Sequence, residues 1–132
     1  MATAAGLAVV SKLLDQNLVG RAAQQGEVLQ AKLLERFGQY PNVGDVRGRG
    51  LFRGVEFVAD RDSKEPLDPS LGVAGRVKKA AFEAGLICYP MAGTRDGKNG
   101  DHVLLAPPFI ITDDEVDELV DKLGRAVDEV LG

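Results

Sequence analysis

A polar loop between two short apolar runs carries the side chains best suited to chemistry. The loop contains Gly93, Gly97 and Gly100, and Arg95 and Lys98 lie between these glycines. A guanidinium binds a carboxylate through two parallel hydrogen bonds, whereas an ammonium binds it as a point charge. Arg95 is therefore a candidate for binding a substrate carboxylate. Judged from the residues alone, the favoured interpretation is a solvent-exposed arginine on a mobile loop.

Other residue patterns that could form a binding or catalytic site are less specific. Residues 93–98 resemble a phosphate-binding loop, but the spacing is one residue short, and Asn99 replaces the Ser or Thr that would bind magnesium. His102 is the single histidine of the sequence, which excludes a two-histidine zinc site. Cys88 and His102 could form a nucleophilic pair across adjacent strands, although a small core residue is the simpler interpretation of Cys88.

The composition is typical of one small domain. The chain has 132 residues, of which 45% are hydrophobic, so one core is expected. Its net charge of −4 argues against a nucleic-acid partner, which would require a basic surface. The single cysteine excludes an internal disulfide, and no apolar run approaches the roughly 18 residues of a membrane span. The sequence thus predicts a cytoplasmic protein that binds neither nucleic acid nor membrane.

The first half of the chain predicts two helices followed by two strands. Residues 3–15 and 17–39 repeat apolar residues at helical spacing, and Asn17 can cap the second helix. Residues 43–49 and 51–59 instead alternate in the manner of strands. One apolar face of the second strand would carry Leu51, Val55, Phe57 and Ala59.

The second half predicts a helix, two strands around the polar loop, and a last helix. The first of these helices ends at Gly85, its predicted C′ residue. The apolar runs 86–89 and 103–106 are bounded by glycine and proline, which is typical of buried strands. Residues 112–115 read Thr-Asp-Asp-Glu, a capping box that opens a helix over 113–131.

This order of elements predicts an α+β fold. Two helices, two strands, a helix, two strands and a helix suit a small, mostly antiparallel sheet with helices packed on one side. We expect residues 1–132 to form a single domain fragment, in which 1–40 are a helical lead-in and 43–132 form the α/β part. The apolar face of the first helix needs a partner, which suggests that an upstream domain is missing.

Three stretches resemble the class III aminotransferases, enzymes that depend on pyridoxal phosphate. Gly-Asp-His-Val-Leu-Leu-Ala-Pro-Pro-Phe-Ile-Ile-Thr-Asp-Asp-Glu at 100–115 is similar to the C-terminal signature of that family. Val-Gly-Asp-Val-Arg-Gly-Arg-Gly-Leu-Phe-Arg-Gly-Val-Glu-Phe-Val at 43–58 resembles the entry into its small domain. Ala-Thr-Ala-Ala-Gly-Leu-Ala-Val-Val at 2–10 resembles the helix that follows its Gly-His-Pro turn. The resemblance covers nearly the whole chain, but only the last part of such an enzyme.

The resemblance implies an activity for the complete enzyme. It would transfer an amino group from an amine or ω-amino acid to a 2-oxo acid such as pyruvate, and it would be a homodimer. Many relatives carry a carboxylate-binding arginine two residues before Ala-Pro-Pro, where this chain has Leu104. Relatives that use ω-amino acids or amines with pyruvate have an arginine in the preceding loop, which points to Arg95, with Lys98 as a weaker substitute. We assign Arg95, Met91 and Leu104 to substrate binding.

The cofactor lysine is expected outside this chain. Pyridoxal phosphate chemistry needs a lysine that forms a Schiff base and an acidic partner for the pyridine nitrogen. None of the seven lysines here lies in a context that resembles the family's cofactor-lysine motif. We therefore predict no catalytic or cofactor-binding residue in these 132 residues, an inactive fragment, and no covalent binding of the cofactor.

Two further classes of protein remain open from the sequence. One is a stand-alone α/β module that binds a small ligand or regulates a partner. The other is a complete enzyme that uses Cys88 or His102. Activity that depends on an intact thiol would favour the complete enzyme, and a self-sufficient monomer without exposed apolar surface would favour the module.

Overall fold

The computed structural model describes residues 2–132, which form helices packed on one face of an antiparallel sheet. The four α-helices and four strands of this range follow in chain order: α1 (Ala2–Asp15), α2 (Leu18–Phe37), β1 (Val43–Arg49), β2 (Phe52–Phe57), α3 (Val73–Glu83), β3 (Tyr89–Met91), β4 (Asp101–Leu105) and α4 (Asp113–Leu131). A single 3-10 turn, Pro69–Leu71, precedes α3. The α+β prediction is confirmed.

The sheet has the strand order β1-β2-β4-β3, and every neighbouring pair is antiparallel. Val55 lies in the middle of the sheet, opposite Val46 on one side and Val103 on the other. These valines point towards the helices and belong to the main hydrophobic core, together with Leu29 of α2 and Leu123 of α4. The other face of the sheet is not covered by a helix and forms the floor of the cleft described below.

A glycine contact sets how closely α2 approaches the sheet. A Cβ atom built on Gly26 of α2 would lie 2.3 Å from the carbonyl carbon and oxygen of Gly50. Gly50 lies in the turn between β1 and β2 and has a φ of 55°, a left-handed conformation that favours glycine. The two glycines therefore let backbone pack directly on backbone. Any larger residue at position 26 would push the helix and the turn apart.

Arg53 lies next to this contact and is almost fully buried, with 4% of its surface exposed. Its guanidinium donates to the carbonyl oxygen of Gly26 at 2.8 Å and to that of Gly48 at 2.9 Å. A third hydrogen bond, at 3.1 Å, reaches the carboxylate of Glu27. Arg53 thus joins α2 to the end of β1 through a backbone carbonyl of each element.

Two helix boundaries follow the sequence prediction closely. Thr112 and Glu115 form both hydrogen-bonded halves of the capping box at the start of α4. Gly85 follows α3 with a φ of 78°, and its N–H donates to the carbonyl of Phe82 while the N–H of Leu86 donates to that of Ala81. This pair of hydrogen bonds satisfies the last carbonyls of α3 and ends the helix, as a C′ glycine predicts.

The predicted cap at Asn17 is wrong. Asn17 precedes α2, but its backbone is left-handed, with a φ of 48°, and its side chain makes no capping hydrogen bond. An N-cap side chain reaches the helix only from an extended backbone. Asn17 instead joins α1 to α2 in a tight turn, in which its N–H donates to the carbonyl of Leu14.

Three predicted strand boundaries are also wrong. Residues 86–88 lie outside any strand, and β3 begins at Tyr89. The register places Tyr89 opposite Leu104. Continuing it backwards would therefore place residues 86 and 87 opposite Pro107 and Ala106. Proline cannot donate to a ladder, so pairing ends there. β4 begins at Asp101, and β2 ends at Phe57, which leaves Ala59 exposed rather than on the apolar face.

The first helix buries none of its residues against the rest of the described chain. Leu7 is 68% exposed and Leu14 is 74% exposed, although both belong to its apolar face. Because little packing opposes its fraying, α1 should open more readily than the other helices. None of the helices in residues 2–132 combines the length and the apolar character needed to cross a membrane.

The glycine contact predicts that Gly26→Ala destabilises the fold. Overpacking should lower the free energy of unfolding by about 1–3 kcal/mol, since backbone atoms must move to admit the methyl group. Gly75→Ala in α3 is the matched control, because a Cβ there meets nothing within 4 Å. That control should stabilise the protein by about 0.5–1 kcal/mol. Urea unfolding followed by circular dichroism measures both, and a Gly26→Ala variant as stable as the parent would contradict the contact.

The exposure of α1 predicts weak protection against hydrogen exchange. In dilute solution, amides of residues 3–15 should exchange faster than those of α4, which buries six of its residues in the core. Exchange measured by NMR or mass spectrometry, with the monomeric state verified by light scattering, tests this expectation. Equal protection of the two helices in a proven monomer would show that α1 is held by contacts within the chain.

Candidate functional site

The uncovered face of the sheet and the loop over residues 93–100 enclose an open cleft of about 550 Å³. Its floor is formed by side chains that the register brings to the same face. Gly54 lies opposite Leu104, and Glu56 lies opposite His102. Arg95 reaches the cleft from the loop. Strands β2 and β4 therefore place the apolar Leu104 and the polar side chains of Glu56 and His102 within one concave surface.

Two of the basic groups around the cleft already have partners. Arg47 donates to the carboxylate of Asp45 at 3.0 Å and to that of Glu56 at 2.5 Å. The hydrogen bond that Arg47 donates to Glu56, followed by the one that it donates to Asp45, raises the pKa of Arg47 above its ordinary value. The ammonium of Lys64 donates to the carbonyl oxygen of Gly44 at 2.5 Å.

Arg95 differs from these groups in its environment. Among residues 2–132 it makes no ion pair, and its guanidinium donates no hydrogen bond to another residue. It is exposed at the edge of the cleft. A guanidinium in this state keeps its full capacity to bind an anion through two hydrogen bonds.

The loop that carries Arg95 is held by hydrogen bonds of its own. The N–H of Arg95 donates to the carbonyl of Asn99 at 2.9 Å, and that of Thr94 donates to the carbonyl of Gly100 at 3.2 Å. The three glycines of the loop, Gly93, Gly97 and Gly100, have φ values of 72°, 88° and 96°. These left-handed conformations explain why glycine recurs in this loop.

Asp96 is at the centre of the same loop. One of its carboxylate oxygens accepts from the backbone N–H of Lys98 at 3.0 Å and from that of Asn99 at 2.8 Å. The other accepts from the side-chain amide of Asn99 at 2.8 Å. Hydrogen bonds from the backbone and side chain of Asn99, in that order of size, lower the pKa of Asp96 to about 2. The carboxylate is therefore ionised at neutral pH.

The predicted site residues are brought together only in part. Arg95 and Leu104 both line the cleft. Met91 lies on the same face of the sheet, opposite His102, but outside the cleft lining. Lys98 is exposed on the loop and also lies outside the lining, so the cleft gives it no role beside Arg95. Their roles in substrate binding stay predictions.

The alternative of a Cys88–His102 nucleophilic pair is wrong. Cys88 packs against the hydrophobic core on the helix side, whereas His102 lines the cleft on the opposite face of the sheet. Burial raises the pKa of the Cys88 thiol to about 11, which leaves it protonated and poorly nucleophilic at neutral pH. The interpretation of Cys88 as a small core residue agrees better with this position.

Sequence reasoning missed two buried charged residues that support the site. Arg53 holds β1 and α2 together, and Asp101 accepts the N–H of Ala74 at 3.1 Å at the start of α3. Both lie on the helix side of the sheet, and Asp101 is 5% exposed. The sequence indicated both residues only through the two-residue period of a strand, which places residues two apart on the same face. Arg53 precedes Val55 by two residues, and Asp101 precedes Val103 by two. A charge in an apolar register indicates a buried, paired group.

The chain belongs to the class III aminotransferase family. The family described as Aminotransferase class-III matches residues 1–127. An uncharacterised aminotransferase of Schizosaccharomyces pombe is 48% identical over 96% of this chain and 28% of its own length. The taurine–pyruvate aminotransferase of Bilophila wadsworthia is 36% identical over 93% of this chain and 26% of its own. A solved omega-transaminase from Thermomicrobium roseum superposes with a TM-score of 0.80 at 32% identity, over 93% of this chain and 26% of that one.

These comparisons also define how much of a relative the chain represents. It spans about a quarter of the length of the relatives and solved structures that it matches. Enzymes of this family use pyridoxal phosphate. The helices and the antiparallel sheet of residues 2–132 form the α+β arrangement of a transaminase small domain.

The lysines of this chain do not fit a Schiff-base site. A lysine that forms a Schiff base is usually desolvated, which lowers its pKa and frees the amine to react. None of the lysines in residues 2–132 is buried. Lys64, which lines the cleft, donates to the carbonyl of Gly44, and Lys32 pairs with Asp117, which raises its pKa. The environments of these lysines therefore differ from that of a desolvated Schiff-base lysine.

Proposed function

We propose that this chain is the C-terminal small domain of a pyridoxal-phosphate-dependent aminotransferase. The complete enzyme would transfer an amino group from an amine or ω-amino acid to a 2-oxo acid such as pyruvate. Two observations support this proposal: membership of the family over residues 1–127, and a guanidinium at the edge of a cleft of the small domain that has no partner within residues 2–132. The names of the taurine–pyruvate and omega-transaminase relatives agree with this pair of substrates.

The position of the Arg95 guanidinium is the observation that supports a 2-oxo acid as the amino acceptor. A 2-oxo acid presents a carboxylate, and Arg95 is the guanidinium at this cleft whose hydrogen-bonding capacity is unused. Leu104 beside it is apolar and cannot compete for the anion. We therefore assign to Arg95 the binding of the acceptor carboxylate, and to Leu104 and Met91 the apolar side of the substrate site.

The remaining chemistry would belong to an upstream domain. That domain would supply the lysine for the Schiff base, the acidic partner of the pyridine nitrogen, and the phosphate-binding groups. The small domain would form the substrate side of the cleft and would exclude water from it. We further propose that the complete enzyme is a cytoplasmic homodimer.

Replacing Arg95 in the complete enzyme should separate the two substrates. Arg95→Ala should raise the KM for pyruvate about tenfold to a hundredfold, because a charge-assisted contact worth about 1.5–3 kcal/mol is lost. The KM for an amine without a carboxylate should stay within about twofold, since that amine never used the contact. Steady-state kinetics with pyruvate and such an amine measure both values.

Arg125→Ala is the matched control for this experiment. Arg125 is an exposed arginine on α4 that pairs with Asp121 and lies on the helix side of the sheet. Its loss should leave both KM values unchanged. If Arg95→Ala affected both substrates equally, or neither, Arg95 would be an ordinary surface arginine and the carboxylate would be bound by the upstream domain.

The lysines predict that the 132-residue chain does not trap the cofactor. Pyridoxal phosphate mixed with the chain should give no stoichiometric absorption band that borohydride fixes to one lysine, because exposed or ion-paired lysines keep their amines protonated. Visible spectroscopy followed by peptide mass spectrometry measures this. Stoichiometric reduction at Lys64, the lysine of the cleft, would overturn the prediction and place cofactor chemistry in this domain.

A further inference from the structure

The position of Arg95 over the cleft depends on how the loop around it is ordered. Within residues 2–132 the side chain of Arg95 makes no hydrogen bond or ion pair that could fix it, so its position depends on its backbone. Residues 92–100 belong to no strand, so strand pairing does not order the loop. Its order comes from the hydrogen bonds between its own residues.

Asp96 makes more of these hydrogen bonds than any other side chain of the loop. It accepts three, from two backbone N–H groups and from the amide of Asn99, and all three connect the tip of the loop to residues 98 and 99, which precede β4. The backbone bond from Arg95 to Asn99 crosses the same turn. Without the carboxylate, the N–H groups of Lys98 and Asn99 would have only water as acceptor, and a loop with three left-handed glycines would gain conformational freedom.

We propose that Asp96 is the positioning residue of the anion site: it orders residues 94–100 as one hydrogen-bonded turn and so holds the guanidinium of Arg95 at the edge of the cleft. This inference rests on the proposed role of Arg95. It adds that the affinity for the anion depends on a residue that never contacts the anion. It also adds that the loop acts as one ordered unit rather than as a freely swinging arm.

The carboxylate suits this task better than an amide. Each oxygen of Asp96 accepts, so all three donors are satisfied at once. In Asp96→Asn, one oxygen would keep the two backbone donors, but the new NH2 group would face the NH2 group of Asn99. Exchanging the two residues, Asp96→Asn with Asn99→Asp, places a donor opposite a carboxylate again and restores the third bond. The single variant Asp96→Asn and the exchanged double variant therefore differ in whether this third hydrogen bond has a donor facing an acceptor.

The first experiment measures the order of the loop in the 132-residue chain. In Asp96→Ala, the backbone order parameters of residues 95–99, from 15N relaxation, should fall from values typical of rigid backbone, about 0.85, to below about 0.6. The exchanged double variant should keep values near those of the parent. Asp62→Ala, which removes the same charge from an exposed loop elsewhere, should leave residues 95–99 unchanged.

The second experiment measures anion binding in the same variants, with pyruvate as the probe. Chemical shifts of the parent should change on titration at residues 94–96 and 104. In Asp96→Ala the affinity should fall about three- to tenfold, the cost of ordering a rotamer-rich side chain and its loop on binding. In the complete enzyme the same variant should raise the KM for pyruvate by a similar factor, with the KM for a carboxylate-free amine unchanged.

Loss of loop order and of pyruvate affinity in Asp96→Ala, with recovery of both in the exchanged double variant, would support the proposal. An ordered loop in Asp96→Ala would overturn it, and so would a disordered loop with unchanged affinity. The proposed role of Arg95 fails separately: Arg95→Ala would then leave the pyruvate KM of the complete enzyme unchanged, whatever the relaxation data for Asp96→Ala show.

Discussion

The approach of α2 to the turn between β1 and β2 is the constraint on which the rest of the structure depends. Gly26 and Gly50 bring the two backbones together, and the buried guanidinium of Arg53 binds carbonyl groups on both sides of the contact. Burying that charge is unfavourable unless its donors are satisfied, and Nε of Arg53 has no partner within the described residues. The contact is therefore strict: it tolerates neither a larger residue at the glycines nor a different geometry of the turn.

Fixing this edge of the sheet divides the molecule into two faces with different roles. On the helix side, Val55 and its neighbours are sealed by α2, α3 and α4, and Asp101 ties β4 to the start of α3. On the other side no helix of residues 2–132 covers the sheet, so the alternate residues of the same strands face the cleft. Because successive side chains of a strand point to opposite faces, the strands that the core fixes on one face also form a rigid floor for the cleft on the other face.

The charges of the cleft are arranged so that one guanidinium remains available. Arg47 is committed to Asp45 and Glu56, and Lys64 to a backbone carbonyl, whereas Arg95 has no such partner in the described chain. Exposed ion pairs contribute little to stability, but they decide which basic group can accept a new anion. The chain represents about a quarter of its relatives, so the cleft is one wall of a larger site in the function proposed for it.

The sequence by itself determined the elements whose signals are local. The capping box at Thr112, the C′ glycine after α3, the amphipathic helices and the α+β class follow from spacing and residue type, and the quoted motifs identified the family. Only the tertiary structure decided the start of β3, the left-handed turn at Asn17, the burial of Arg53 and the separation of Cys88 from His102. Each of these depends on the register between strands or on the approach of a helix distant in sequence. Strand register and helix approach are set by partners that a local pattern does not contain.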